Sequence, residues 1–261
     1  MLDRKNIITQ VLATREIIMD QQSAQQITVK GDADFVTAVD FAVQDFLQKK
    51  LYEIDPSIEM IAEEKENVAF KEDGRYWILD PIDGTTNLIH QYGLSAVSLA
   101  LYEKGEIAFG IVYNPFTNEV FTAEKGKGAY LNGRTIRVSD RNMKDSVISY
   151  GSSPYGKQDS ENTFQLFSMI FQKCADFRRF ASAALDLCYV ACGRSDGYLE
   201  GSLKPWDYAA GSLILKEAGG IVTDWQGGAL PFFKNSGVYA ATPMIHQELW
   251  DIIQEWKAYN G

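Results

Sequence analysis

The stretch Trp77-Ile78-Leu79-Asp80-Pro81-Ile82-Asp83-Gly84-Thr85-Thr86-Asn87 decides how the rest of the chain is read. Its apolar start reads as a strand that ends at Asp80. Pro81 stiffens the next step and Gly84 permits a tight turn, so Asp83 can come back toward the same point, with the Ile82 carbonyl between the two acids. The run that follows can open a helix, whose first N–H groups are available to phosphate. Two carboxylates with a carbonyl between them suit a hard divalent cation. On spacing alone a second reading stands level with this one: an ordinary Pro-x-Asp-Gly turn carrying exposed acids.

Two further acidic elements shift the balance. Ile61-Ala62-Glu63-Glu64 also places acid after a strand-like stretch, although a solvated acidic loop fits it too. In Pro205-Trp206-Asp207 the acid sits where a helix begins, so it could be a helix cap; cap and ligand are compatible, because a carboxylate has two oxygens. Four acids at strand ends and helix starts look like a two-ion site. The only histidines are His90 and His246, and Cys174, Cys188 and Cys192 lie apart from them, so a nitrogen/sulfur zinc site is poorly supported. Oxygen donors select Mg²⁺, Mn²⁺ or Ca²⁺, and the absence of a D-x-[DN]-x-[DN]-G calcium loop favours Mg²⁺.

Bulk properties agree with an enzyme of small anionic molecules. The chain has 261 residues, enough for one large domain or two closely packed ones, and 46% hydrophobic with 23% charged residues is ordinary for a globular protein. A net charge of −10 argues against a dedicated binder of nucleic acid or anionic membrane. Bound cations would still let such a protein hold an anionic substrate. Neither a signal-peptide apolar region nor a membrane-spanning run is legible, and an odd number of cysteines makes a disulfide framework a poor reading. The expected location is the cytoplasm.

The pattern along the chain predicts helices over 3–22 and 37–54, with turn composition at 30–34, and then a β meander over 95–138. Asn132-Gly133 is a hairpin signal within that meander. Beyond it, strands at 146–150, 197–200, 221–224 and 238–241 alternate with helices at 161–172, 182–193, 206–218 and 243–259. This predicts an α+β half over residues 1–139, carrying the first metal motif, and an α/β half over 140–261, carrying the second motif and the substrate pocket.

These motifs together resemble the inositol monophosphatase family. Asp80-Pro-Ile-Asp-Gly-Thr-Thr-Asn87 resembles its first signature and Trp206-Asp-Tyr-Ala-Ala-Gly211 its second. Ala181-Ser-Ala-Ala-Leu-Asp-Leu187, Asp34-Phe-Val-Thr-Ala-Val-Asp40 and Glu63-Glu64 match further segments in order and spacing. The resemblance spans nearly the whole chain and is closest to bacterial members. It implies an αβαβα layered sandwich and lithium-sensitive, Mg²⁺-dependent hydrolysis of phosphomonoesters, with two or three ions and Mn²⁺ as a substitute. It also implies a homodimer. Carried over by position, Glu63, Asp80, the Ile82 carbonyl, Asp83 and Asp207 become metal ligands. Thr85 with Asp40 becomes the pair that orients water, and Glu63 joins them among the catalytic groups. Gly84 and Thr85 would hold phosphate. Arg178, Ala181, Ser182, Ala183 and Glu200, with Asp83 and Asp207, would face the rest of the substrate. Two positions depart from the family pattern: Ala181 replaces the usual Gly, and Leu88 replaces a common aromatic residue.

The implied reaction is in-line attack of an activated water on phosphorus, without a phosphoenzyme. A serine-nucleophile hydrolase is the weaker enzyme reading, because no G-x-S-x-G elbow is present. The substrate expected is an inositol monophosphate. Relatives also hydrolyse fructose 1,6-bisphosphate, the 2′-phosphate of NADP and 3′-phosphoadenosine 5′-phosphate, so a phosphorylated polyol, sugar or nucleotide defines the class. A reading of a different kind is a regulatory, partner-binding protein on the same scaffold.

Overall fold

The computed structural model describes residues 2–20, 27–31, 34–64, 70–152 and 160–260. Of the predicted turn at 30–34, residues 32 and 33 lie outside the described residues, as do 21 and 22 of the first predicted helix.

Two helices open the chain. Helix α1 (Arg4–Ile18) starts at Asp3, whose side chain accepts from the Asn6 N–H at 3.1 Å, and buries Ile7, Val11, Thr14 and Ile18 along one face. A short hairpin of β1 (Ile27–Gly31) and β2 (Asp34–Thr37) leads into α2 (Ala38–Ile54), which buries Val39, Val43, Leu47 and Leu51 at i, i+4 spacing. These faces pack together against one side of a large sheet, around Trp77, Leu79, Leu99 and Ile111.

That sheet has seven strands in sequential order: β3 (Glu59–Ala62), β4 (Arg75–Asp83), β5 (Ala96–Glu103), β6 (Glu106–Asn114), β7 (Glu119–Glu124), β8 (Ala129–Leu131) and β9 (Arg134–Ile136). Only β3 and β4 run parallel; the remainder is an antiparallel meander. Lys104-Gly105 and Asn132-Gly133 both take positive φ, the geometry that matches a tight hairpin to strand twist. Between β4 and β5 lies the one-turn helix α3 (Thr85–Ile89).

The second sheet has five strands, in the order β11 (Asp176–Arg178), β10 (Val147–Tyr150), β12 (Gly197–Leu203), β14 (Ser236–Ala241) and β13 (Ile221–Thr223). Its first three strands are parallel, and β14 runs antiparallel to both of its neighbours. Helices α5 (Ala183–Ala191) and α6 (Pro205–Glu217) fill the layer between the sheets, which is why they are apolar on nearly all sides. On the outer face of the small sheet lie α4 (Ser160–Phe171) and α7 (His246–Asn260). The result is the expected αβαβα layering.

Packing in the middle layer is close. A Cβ on Gly211 of α6 would sit 2.8 Å from Leu187 Cβ of α5, and one on Gly110 of β6 would sit 2.9 Å from the Ala210 carbonyl oxygen. Glycine lets the helices and the sheet approach to backbone distance at both points. Among the described residues, no helix is long and apolar enough to cross a membrane.

Candidate active site

The motif at 80–87 is not the end of a strand, as its composition suggested; β4 continues to Asp83 through an irregular register between Asp80 and Asp83. Pro81 has no N–H to give a ladder, and the irregularity accommodates it. The Ile82 N–H turns instead to Asp80 Oδ1 at 2.9 Å, which leaves the Ile82 carbonyl to accept from Thr85 Oγ1 at 3.1 Å. Gly84 then takes φ +89°, ψ 44° and starts α3. A Cβ there would stand 3.0 and 3.1 Å from the carbonyl oxygens of Ala181 and Leu94, so both conformation and space demand glycine.

Each acid is supplied by a different element. Glu63 follows β3, its N–H donating to the Leu79 carbonyl at 3.3 Å. Asp80 and Asp83 come from β4 and are buried. Asp207 is the third residue of α6; its Oδ2 accepts from the Lys204 N–H at 2.7 Å, so the helix-capping role is real but leaves the second oxygen for other work. Ser98 of β5 anchors that helix start by donating to the Trp206 carbonyl at 3.0 Å. Glu63, Asp80, Ile82, Asp83 and Asp207 line one cleft of about 520 Å³, with Gly84, Thr85, Ala181, Ala183 and Glu200 on its walls. Among the described residues, no three of the acids are drawn tightly enough together to form a closed metal cluster; they surround a space.

Their electrostatics are unfavourable as they stand. Burial, reinforced by Glu63, Asp83 and Asp207, holds the Asp80 carboxyl well above the usual carboxylate range. Burial and the nearby Asp83 and Glu63 do the same to Asp207. Asp83 is pushed up to about 6 by burial, although Ser182 and Ala184 oppose the shift. Oxygen donors that are buried, mutually repelling and arranged around a cleft fit a divalent cation, which would supply the missing positive charge. The donor set therefore suits Mg²⁺.

Thr85 and Asp40 meet beside these acids. Asp40 is fully buried in the first turn of α2, where its Oδ2 accepts from the Thr37 N–H at 2.8 Å and the Thr37 hydroxyl at 2.6 Å. Its Oδ1 lies 3.2 Å from Thr85 Oγ1. Burial raises Asp40 to about 6.

The facing wall begins at Ala181, whose φ of +59° explains why the family pattern has glycine at this position. Ser182 caps α5 and donates to Asp83 Oδ2 at 2.6 Å, and the Ala184 N–H donates to the same oxygen at 2.7 Å. Glu200 of β12 accepts from the Tyr198 hydroxyl at 2.5 Å and packs where a Cβ on Gly151 would overlap it. Arg178 lies elsewhere: it is exposed, pairs with Asp176 at 2.5 Å and does not line the cleft. Its neighbour Arg179 does line the cleft, with Nε donating to Ser152 Oγ at 3.2 Å.

Two residues with a place in the site were quoted in the motifs without being given one. Asn87 donates to the carbonyls of Leu94 at 2.8 Å and Phe180 at 2.6 Å, tying α3 to the opposite wall. Asp186 lies on the cleft-facing side of α5 at 1% exposure. An acid inside an otherwise apolar helix was the signal for it. Leu88, the other departure from the family pattern, is buried in the core beneath α3.

A family profile described as the inositol monophosphatase family matches residues 4–257. The chain is 43% identical over 219 residues to the Nus factor SuhB of Vibrio cholerae, covering 84% of this chain and 82% of that protein. It is 38% identical over 231 residues to the inositol-1-monophosphatase of Mesorhizobium japonicum, covering 88% and 86%. Among solved structures it is similar to the extragenic suppressor protein suhB of Bartonella henselae, with TM-score 0.88, 37% identity and coverage of 95% and 97%. It is also similar to an IMPase/NADP phosphatase complexed with Mg²⁺ and phosphate, with TM-score 0.84, 25% identity and coverage of 95% and 93%.

Proposed function

Since the chain belongs to the inositol monophosphatase family, we propose that its acidic cleft is the active site of a Mg²⁺-dependent phosphomonoesterase acting on an inositol monophosphate. The observation that carries this reading is the convergence of Glu63, Asp80, the Ile82 carbonyl, Asp83 and Asp207 on one cleft beside Gly84 and Thr85. A similar solved enzyme holds Mg²⁺ and phosphate.

In this reading Glu63, Asp80, Asp83, Asp207 and the Ile82 carbonyl hold the metal. Bound there, Mg²⁺ would neutralise phosphate oxygens, acidify a water and stabilise the leaving alkoxide. The N–H groups of Gly84 and Thr85 receive the phosphate. Thr85 Oγ1 donates a hydrogen bond to Asp40 and turns a lone pair to the attacking water, so that the water meets phosphorus in line with the leaving oxygen. Ala181, Ser182, Ala183 and Glu200 shape the space for the alcohol, with Asp83 and Asp207 at its edge. Arg179 takes the place that the family resemblance gave to Arg178. Little covalent work falls to the protein, as expected for phosphoryl transfer. Mn²⁺ shares the preference for oxygen donors and is expected to substitute. A cytoplasmic homodimer is the setting this reading carries with it.

A second reading has support in a name: one similar protein is a Nus factor, which fits a partner-binding role on the phosphatase scaffold. A pure scaffold would have no need to bury several mutually repelling acids. Phosphate release from inositol 1-phosphate, fructose 1,6-bisphosphate, NADP and 3′-phosphoadenosine 5′-phosphate, with Mg²⁺ and with and without Li⁺, separates the readings. Mg²⁺-dependent, Li⁺-sensitive release that is fastest on inositol 1-phosphate is expected. Loss of that release in Asp83→Asn with the melting temperature little changed ties it to this cleft. A protein that releases no phosphate from any of the four would leave the partner-binding reading.

A further inference from the structure

Asp186 is an unused acid in the wall of the cleft. Burial pushes its carboxyl well above the ordinary carboxylate range, against the help of a hydrogen bond with Ser149 and the attraction of Arg179. Its Oδ1 has no hydrogen-bond partner among the described residues, although the atom is shut away from bulk solvent. Leaving a buried carboxyl oxygen without a partner is costly, so its retention calls for a partner that arrives later.

Its position indicates what that partner is. Asp186 lies one turn along α5 from Ser182 and Ala183, on the same wall as the Asp83 latch, and Glu200 is close enough to raise its pKa. Glu200 already has Tyr198 donating to one oxygen. The wall that would face the leaving alcohol thus offers two carboxyl groups, one of them with an unused oxygen. Asp186 as a whole is 1% exposed, so the little space at its carboxyl suits a hydroxyl better than a bulky tetrahedral phosphate. A hydroxyl both donates and accepts, so it pairs with this oxygen whether or not the carboxyl is ionised. A second phosphate brings negative charge toward two acids.

We propose that Asp186 is a specificity-determining residue whose free Oδ1 pairs with a hydroxyl of the leaving alcohol, selecting the monophosphate of an otherwise uncharged, polyhydroxylated alcohol. This rests on the phosphatase reading above and extends it to a residue with no role in metal binding or water activation. Glu200 and Asp186 together would read adjacent hydroxyls of the polyol.

The test compares kcat/KM for inositol 1-phosphate with kcat/KM for cyclohexyl phosphate, which has the same ring without free hydroxyls. The wild-type protein should prefer the inositol ester by about 10- to 100-fold, the worth of one hydrogen bond to a charge-capable partner. Asp186→Ala should lower that ratio about tenfold, chiefly through KM for the inositol ester. The isosteric Asp186→Asn keeps the shape of the wall and should lower the ratio about threefold, an effect readable even if the Ala variant fails to fold. Equal losses on both esters in both variants would mark Asp186 as structural and overturn the inference. Turnover of both esters by the wild-type protein with unchanged ratios in the variants overturns it alone. A wild-type protein that hydrolyses neither ester overturns the inositol monophosphate reading and this inference with it.

Discussion

Thr85 Oγ1 lies 3.2 Å from Asp40 Oδ1, although 45 residues separate them in sequence. The contact exists because α2 begins beside the turn after β4. Asp40 holds its place by closing the first turn of α2 onto Thr37, so one carboxylate both caps a helix and faces a hydroxyl. If this pair orients the attacking water, Thr85→Ala lowers kcat by roughly 10²–10⁴-fold. The Mg²⁺ concentration for half-activation should move less than about threefold, because the threonine hydroxyl is not a ligand in this scheme. Steady-state rates across a Mg²⁺ titration check both; a large shift in Mg²⁺ requirement with kcat preserved would reject the role.

Ala181 occupies the left-handed region at φ +59°, where a Cβ costs roughly 1–2 kcal/mol. Glycine removes that cost but loses about 0.5–1 kcal/mol to the entropy of the unfolded chain. Ala181→Gly is therefore expected to raise stability by several tenths of a kcal/mol to about 1 kcal/mol, or about 1–4 °C in a thermal melt. A lower melting temperature would contradict the backbone conformation described here.

Gly211→Ala should destabilise. The added methyl meets Leu187 Cβ at 2.8 Å and Leu187 Cδ1 at 2.9 Å, in a layer with a sheet on either side and no room to yield. Overpacking of this kind costs roughly 1–3 kcal/mol. Activity should fall with it, because α5 and α6 carry Ala183 and Asp207. A urea titration with parallel activity measurements reads both effects.

Stability of the metal-free protein should fall as the pH rises. Asp40 and Asp83 titrate at about 6 in the folded chain, above the ordinary value of 3.8. A raised carboxyl stabilises the protonated native state; that contribution is whole below the unfolded value and is lost as pH climbs through about 6. Melting temperature in chelator should therefore decline between pH 4 and 7, within the acid tolerance of the rest of the chain. Added Mg²⁺ should restore most at the upper end, where the acids are ionised and ready to bind. Equal stabilisation by Mg²⁺ at pH 4.5 and pH 7 would argue against these carboxylates as its ligands.

Much of the site was legible in the sequence because its chemistry is concentrated in short segments. Asp80, Asp83 and Thr85 share one turn, and Asp207 follows a proline that opens a helix. The meander was legible for a similar reason, since Asn132-Gly133 and the alternating strands are local signals. What escaped depends on distant neighbours. The extension of β4 through Pro81 is tolerated because the ladder with β5 skips at that point. Arg178 and Arg179 are adjacent in sequence, and only the folded chain puts Arg179 on the cleft and leaves Arg178, at the end of β11, paired with Asp176. Ala181 hides its left-handed backbone behind a side chain that ordinarily signals helix. Asp186 stands out as an acid in an apolar helix, but what it faces is fixed only once two sheets enclose that helix.

The bond between Asp83 Oδ2 and the Ser182 hydroxyl joins the phosphate side of the cleft to the wall that faces the alcohol. If Asp83 holds the cation as proposed, a group that settles against residues 181–186 presses on one of the metal's own ligands. Affinity for substrate and affinity for metal are then linked quantities, each changing the other by the same factor. A lineage that reshaped this wall to accept a new alcohol would retune its metal requirement in the same step, and an inhibitor seated there would report on the ion without touching it.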